Sequence, residues 1–355
     1  EKSPPRKTFV LNQGQYDQPS EVEVGAGLPV ALGQWPDNLS RDRLGLAKWM
    51  TSGANPLTSR VTVNRLWQMH FGTGIVKSVE DFGAQGEWPT HPELLDWLAT
   101  EFVRTGWNLK AMHKQIVMSA TYRQSSRVTP ALLEADPANR LYARGPRFRL
   151  PAEMIRDHAL SASGLLVSRI GGESVKPYQP PGLWGEVVFS NVPRFQQDHG
   201  AKLYRRSMYT YWKRSAPMPN MVAFDAPTRE KCVIQRPRTN TPMQALVTMN
   251  DVQFVEAARV FAQRVLQQGG VDFDSQLDYA FLLTTSRPAD DLRKRVFREL
   301  YESQLKEFTA DNKRAEDLLK FGEAKRDESV DLVQHAAWTT VASAILNLDE
   351  VLTKE

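Results

Sequence analysis

Cysteine is almost absent: Cys232 stands alone in 355 residues. An internal disulfide is therefore excluded, and so is a C-x-x-C-H attachment point for covalent haem in this chain. The six histidines, His70, His91, His113, His158, His199 and His335, fall in neither H-x-x-x-H nor H-E-x-x-H spacing, so no recognisable zinc site is written here and no metal is expected. G-x-G-x-x-G, P-loop and G-x-S-x-G patterns are missing too, which removes the usual signatures of dinucleotide binding, phosphate cradling and α/β-hydrolase chemistry. No apolar run approaches the ~20 residues of a membrane span. The opening EKSPPRK has no apolar core of the kind a signal peptide carries.

What is present is the composition of a soluble globular protein, 41% hydrophobic and 24% charged, with a length that allows one large domain or two ordinary ones. The net charge of +4 is mild. One segment supplies most of it, so general nucleic-acid binding is not expected.

That segment runs from Tyr204 to Asp251. Before Asn240 it holds Arg205, Arg206, Lys213, Arg214, Arg229, Lys231, Arg236 and Arg238 against two acids, Asp225 and Glu230. Tyr204, Tyr209, Tyr211, Trp212 and Phe224 are threaded among them. Guanidinium groups match sulfate or carboxylate oxygens in bidentate fashion, and aromatic faces stack on flat rings. Arg206, Tyr211, Trp212, Lys213, Arg214, Arg229, Arg236 and Arg238 are therefore the candidate ligand-binding set. The same arginines serve equally well as structural donors to loop carbonyls.

The remaining chain reads as mainly helical. Residues 1–39 are an extended lead-in in which TFVLNQG and SEVEVG have the character of short strands. Helices are expected after Ser40, after Asn55-Pro56 with Gly72 as the stop, after a Thr90–Glu93 capping box and after Asn108, with two short helical turns opened by Thr129-Pro130 and Asp136-Pro137. Another begins near Pro151 and ends at Gly164. Residues 165–203 are loop-rich. RRSMYTYW alternates with period two and is expected as a strand, and MVAFDAP and KCVIQRP are strand-like runs. Thr241-Pro242 and Asp251 open two further helices, followed by helical text over 274–285, 289–308, 311–321 and 331–347.

Four acid–base candidates stand out, each with a structural alternative. Asp225 suits a nucleophile or an ion-pair anchor in the turn FDAPTRE. Glu153 and Asp157 share a helix face at i,i+4, beside Arg156, as an acid–base pair or a helix N-terminal charge cluster. His91 lies at the front of the capping box. Asn64 and Arg65 are placed to reach a neighbouring loop. Cys232 is either a reactive thiol or a small half-buried strand residue. Trp35, Trp49, Trp67, Trp88, Trp97, Trp107, Trp184 and Trp338 are expected in packing.

Taken as ordered blocks, NPLTSRVTVNRLWQMHFG, EDFGAQGEWPTHPELLDWLATEF, PAEMIRDHALSASGLL, YRRSMYTYWKRSAPMPNMVAFDAPTREKC and TNTPMQALVTMND resemble the planctomycete-type PSD-one domain family, a domain of unknown function. The likeness runs over about residues 9 to 355. It implies one mainly helical domain over 40–355: an N-terminal helical half (40–164), a loop-rich basic-aromatic middle (165–240) and a C-terminal helical half (241–355). It also implies an exported, redox-linked protein whose companion domains precede this one, with covalent haem only in an upstream domain and the export signal likewise upstream. Such proteins are similar in distribution to machinery for degrading sulfated or uronic polysaccharides. No reaction accompanies the resemblance. The function expected is binding of, or action on, anionic polysaccharide at the basic-aromatic groove; the alternative is a non-catalytic scaffold that docks companion domains or partner proteins.

Overall fold

The computed structural model describes residues 6–185 and 195–354; part of the loop-rich middle, 186–194, lies outside them. The chain divides into two compact units, residues 1–146 and 147–355. Both are mainly helical, with only two small two-stranded sheets among the described residues. No described helix is long and apolar enough to cross a membrane.

The first unit opens with an antiparallel pair, β1 (Thr8–Leu11) and β2 (Pro19–Val24), formed by the two expected short runs. Helix α1 (Arg43–Met50) starts at Asp42, whose carboxylate accepts the Gly45 N–H at 2.7 Å. Helix α2 (Thr58–Phe71) starts two residues beyond the expected Pro56 entry. The Asn55 side chain accepts from the N–H groups of both Leu57 and Thr58 at 2.9 Å, so it makes an Asx turn ahead of the helix rather than capping at Pro56. Gly72, at φ 78°, ends α2 in the left-handed conformation that glycine adopts without strain.

At α3 (Pro92–Arg104) the expected Thr90–Glu93 capping box does not form. That motif needs the Thr90 N–H for the glutamate, but the Ile75 carbonyl already takes it at 3.1 Å. The Thr90 hydroxyl instead contacts His91 Nδ1 at 2.9 Å. Asn108 and Thr129 cap α4 (Leu109–Met118) and α5 (Pro130–Ala135) as expected. Asp136-Pro137 opens a turn rather than a helix, because the Asp136 carboxylate binds the Arg140 and Leu141 N–H groups. Trp67 and Phe71 of α2 stack at 4.1 Å and pack with Leu98 and Phe102 of α3, Met112 and Ile116 of α4, and Tyr142.

The second unit is built on α9 (Val252–Gln268) and α13 (Leu332–Leu346). Small residues on both helices, Ala257, Ala258 and Ala262 with Ala342, permit close approach, and Phe254, Phe261, Val265, Trp338 and Ile345 fill the rest. Helix α13 is apolar around most of its circumference and is buried to match, with α11 (Asp291–Ala310) and α12 (Asn312–Leu319) against it. Helices α6 (Ala152–Ser163) and α10 (Phe273–Thr285) pack on α9. Thr241 and Asp251 head α8 (Pro242–Asn250) and α9 as expected. A short antiparallel pair, β3 (Phe148–Arg149) with β4 (Thr353–Lys354), joins the start of the unit to its end after α14 (Asp349–Leu352).

Three strand expectations fail in this unit. RRSMYTYW forms no strand: tight turns cover Gly200–Tyr204 and Ser207–Tyr209, with isolated bridges from Arg205 to Val167 and from Thr210 to Val175. The Leu203 and Arg205 carbonyls and the Ser207 N–H are taken by side chains of α6 instead of a partner strand. MVAFDAP folds as the short helix α7 (Pro219–Ala223). KCVIQRP is irregular and exposed; Val233 and Ile234 find no partner strand among the described residues, and Cys232 is exposed rather than half-buried.

Candidate functional site

The platform of the candidate site is a buried arginine. Arg156, on α6, is 2% exposed. It donates to the carbonyls of Arg205 (2.9 Å) and Leu203 (2.6 Å), to the Ser207 hydroxyl (3.1 Å) and to the Gln253 side chain. Burial pulls this guanidinium down to about 10, partly offset by Asp157 and Asp251, so it stays protonated at neutral pH. Asp157, the next residue, accepts from the Ser207 N–H at 2.8 Å and from its hydroxyl at 2.7 Å. Residues 203–207 are thereby fixed to α6 by side-chain bonds instead of a ladder.

Arg205 carries the fixation outward. It is buried, stacks 3.8 Å from the Tyr209 ring centroid, and donates to the carbonyls of Arg169, Gly171 and Glu173. The Tyr209 hydroxyl accepts the Gly171 N–H at 2.8 Å. Val175 then bonds Tyr209 and Tyr211 through backbone groups at 2.8 and 2.7 Å. The loop 169–175 is thus one wall, held by the segment that forms the other. At the far edge the Trp212 indole N–H donates to the Thr228 carbonyl at 3.1 Å, and the Arg229 guanidinium lies 4.6 Å from the Trp212 ring centroid.

Between these walls is an open cleft of about 530 Å³, lined by Gly172, Ser174 and the run Met208–Trp212, with Arg214 and Arg229. Four members of the sequence-derived set, Tyr211, Trp212, Arg214 and Arg229, line it. Arg214 is exposed and makes no hydrogen bond or ion pair among the described residues. Tyr211 is 42% exposed and has Lys176 over its ring at 5.6 Å. Among the described residues the cleft therefore offers three aromatic side chains, Tyr209, Tyr211 and Trp212, and two guanidinium groups, with no carboxylate in its lining.

The other candidates lie outside this lining. Arg206 is exposed on the segment's outer side. Lys213 packs over the Trp184 ring at 4.4 Å. Arg238 lies 4.4 Å from the Phe148 ring centroid, and desolvation together with the Arg149 charge lowers its pKa. Arg236 pairs with Glu153 at 2.7 Å. Burial alone would raise the Glu153 carboxyl, but the Arg236 bond, a backbone N–H bond and the charges of Arg236 and Arg229 together outweigh it and hold the group below the usual range. Asp225 sits at φ 61° and accepts from Arg149 at 2.5 Å, from the Thr239 N–H at 2.8 Å and from the Thr239 hydroxyl. His91 belongs to the first unit, against Thr90 and the Tyr142 ring.

Gly172 and Ser174 enter the lining with no sequence signal, because they come from an irregular loop positioned by the distant Arg205, Tyr209 and Tyr211. A second buried polar group also escaped the sequence reading. Glu256 and Arg259 of α9 are each 1% exposed. Glu256 accepts from the Tyr204 hydroxyl at 2.8 Å and the Ala324 N–H at 2.7 Å, and Arg259 donates to the Phe321 and Ala324 carbonyls. Burial, with the Glu256 charge beside them, pushes both Tyr178 and Tyr204 well above the normal phenol range. The network ties the 321–326 loop to α9.

Comparison with known proteins adds one positive finding. A family model described as PSD1, protein of unknown function (DUF1553), matches residues 42–301. No curated protein and no solved structure matches the chain.

Proposed function

The chain belongs to the PSD1 family of proteins of unknown function (DUF1553), and from that premise we propose that its second unit is a binding module for anionic saccharide, with the cleft at Tyr211, Trp212, Arg214 and Arg229 as the site. The observation that carries this reading is Arg214: a guanidinium in a cleft wall with no partner among the described residues, while its neighbours Arg205 and Arg236 are consumed internally. A sulfate or uronate group satisfies such a donor fork in bidentate fashion. Tyr211 and the Trp212–Arg229 stack supply flat surfaces for the sugar rings. Export of the protein would bring the cleft to polymers of this kind.

Asp225, Glu153 and Asp157 support a binding role rather than hydrolysis. Each has at least one oxygen engaged in a bond that holds the segment in place, and none is among the residues that line the cleft. A paired-carboxylate mechanism needs two such groups facing one bound sugar.

The test is titration of the full chain with dextran sulfate and alginate, using uncharged dextran as the control. Binding of a charged polymer that weakens as salt rises, and that falls at least ~10-fold in Arg214→Ala, is expected. Arg214 is exposed, so its loss leaves the fold intact, and Trp212→Ala is the second variant. Equal binding by wild type and both variants, or none to either charged polymer, would reject the cleft as the site.

A further inference from the structure

We propose that the first unit carries a separate binding site for an uncharged sugar ring, in the pocket beneath Trp88. The pocket encloses about 280 Å³ and its walls are largely apolar, built from Leu57, Val76, Phe82, Pro89 and Leu95. This is the low end of small-ligand cavities, roughly 300 Å³ and upward, and suits one monosaccharide unit. Trp88 is 90% exposed although it was expected in packing. A large exposed indole at the mouth of an apolar pocket is surface left for a partner.

The loop holds Trp88 there. Ser78 Oγ accepts the Glu87 N–H and donates to the Asp81 carbonyl, both at 2.8 Å. The Gly86 N–H bonds the Gly83 carbonyl at 3.0 Å, and Thr90 is tied back to Ile75. At Gly86 a Cβ would lie 2.3 Å from the Asp81 carbonyl oxygen, so the turn admits only glycine. The indole is presented by a braced loop, which reduces the ordering entropy that binding has to overcome.

The polar edge selects the ligand. Arg60 Nε donates to Asp96 Oδ1 at 2.7 Å and Arg60 Nη1 to the Pro56 carbonyl at 2.6 Å. Both side chains are therefore oriented, while Arg60 Nη2 and Asp96 Oδ2 have no bond among the described residues. Three guanidinium N–H donors remain beside the free carboxylate oxygen, and hydroxyls, each of which donates and accepts, can bond to both groups. The charges cancel here: Arg60 with Asp96, and Glu87 with Lys77 at 3.4 Å. Neither an anion nor a cation is favoured, in contrast to the basic cleft. A wholly apolar ligand would cover that polar edge without bonding it, at a desolvation cost. A ring with an apolar C–H face and a hydroxyl-bearing rim meets both demands.

The experiment uses the full chain with neutral hexasaccharides of β-linked glucose, xylose, mannose and galactose, followed by saturation-transfer NMR and calorimetry. At least one is expected to bind with a dissociation constant near or below about 1 mM. Trp88→Ala and Asp96→Asn, both exposed positions, should each weaken it ~10-fold or more, about 1.4 kcal/mol. Trp97→Ala, an exposed tryptophan of α3 outside the pocket, should leave it unchanged. No binding by any neutral sugar, binding that survives both pocket substitutions, or occupation by indole with no response to sugars would each overturn the proposal. The charged-polymer titration of the second unit's cleft is read with different ligands and different variants, so either proposal can fail while the other stands.

Discussion

His335 is fully buried on α13. Its Nε2 lies 2.9 Å from the Arg259 carbonyl and its Nδ1 3.3 Å from Arg326 Nε. A neutral ring serves both contacts, since Nε2–H donates to the carbonyl and Nδ1 accepts from the guanidinium. Burial, reinforced by the charges of Arg326 and Arg259 against the Arg259 carbonyl bond, lowers its pKa from 6.5 to about 4. The unfolded ring therefore takes a proton that the folded ring refuses until pH 4 is approached. The contribution to stability is complete above pH 6.5 and is lost as pH falls through the window to about 4. Up to about 3 kcal/mol is expected to disappear across it. Denaturant unfolding of wild type and His335→Gln over this range should show a shallower loss in the variant; parallel curves would refute the assignment. Nothing around His335 in the sequence announces this role, because its partners are 76 and 9 residues away. Asn64 was more readable: a buried amide that bonds both backbone groups of Val76 at 2.9 Å, as its place beside a glycine-rich link implied.

Several helix starts were legible because the capping bond is local, although at Thr90 the distant Ile75 carbonyl takes the N–H that the capping box needed. Asp42, Asn108, Thr129 and Asp251 accept N–H groups within their own first turn, so a few residues contain the whole interaction. The segment after Tyr204 was misread because period-two alternation reports which side chains are buried, not what the backbone bonds to. Leu203, Arg205 and Ser207 are indeed buried and Arg206 and Met208 exposed, yet the partner is Arg156 and not a strand. Arg156→Met should therefore destabilise the protein by roughly 3–5 kcal/mol, since it leaves several buried acceptors unpaired. Arg206→Met, on the exposed side of the same segment, should stay within about 0.5 kcal/mol. Chemical denaturation of the two variants checks this, and similar losses in both would show that Arg156 does not fix the segment.

Each unit has a core closed within its own residues. The aromatic cluster of α2–α4 and Tyr142 lies within 1–146, and the α9–α13 core with its α11–α12 extension lies within 147–355. Expressed alone, residues 147–355 should give a helical circular dichroism spectrum and a single cooperative unfolding transition; a non-cooperative chain would show that the second unit depends on the first. The division itself carries little sequence signal, because ARGPRFRLP reads only as a lead-in to α6.

The sequence by itself determined the helical class, most helix ends, the family and the place where basic and aromatic residues gather, all properties carried by neighbours within a turn or two of chain. Only the tertiary structure decided which arginines are spent and which are left. Arg149, Arg156, Arg205 and Arg236 find acceptors from 32 to 97 residues away, whereas Arg214 finds none among the described residues. The same holds for Trp88, which composition placed in packing and its braced loop places in solvent. A guanidinium or an indole has the same chemistry wherever it stands. Its role depends on whether folding brings it a partner, and that is settled by contacts distant in sequence.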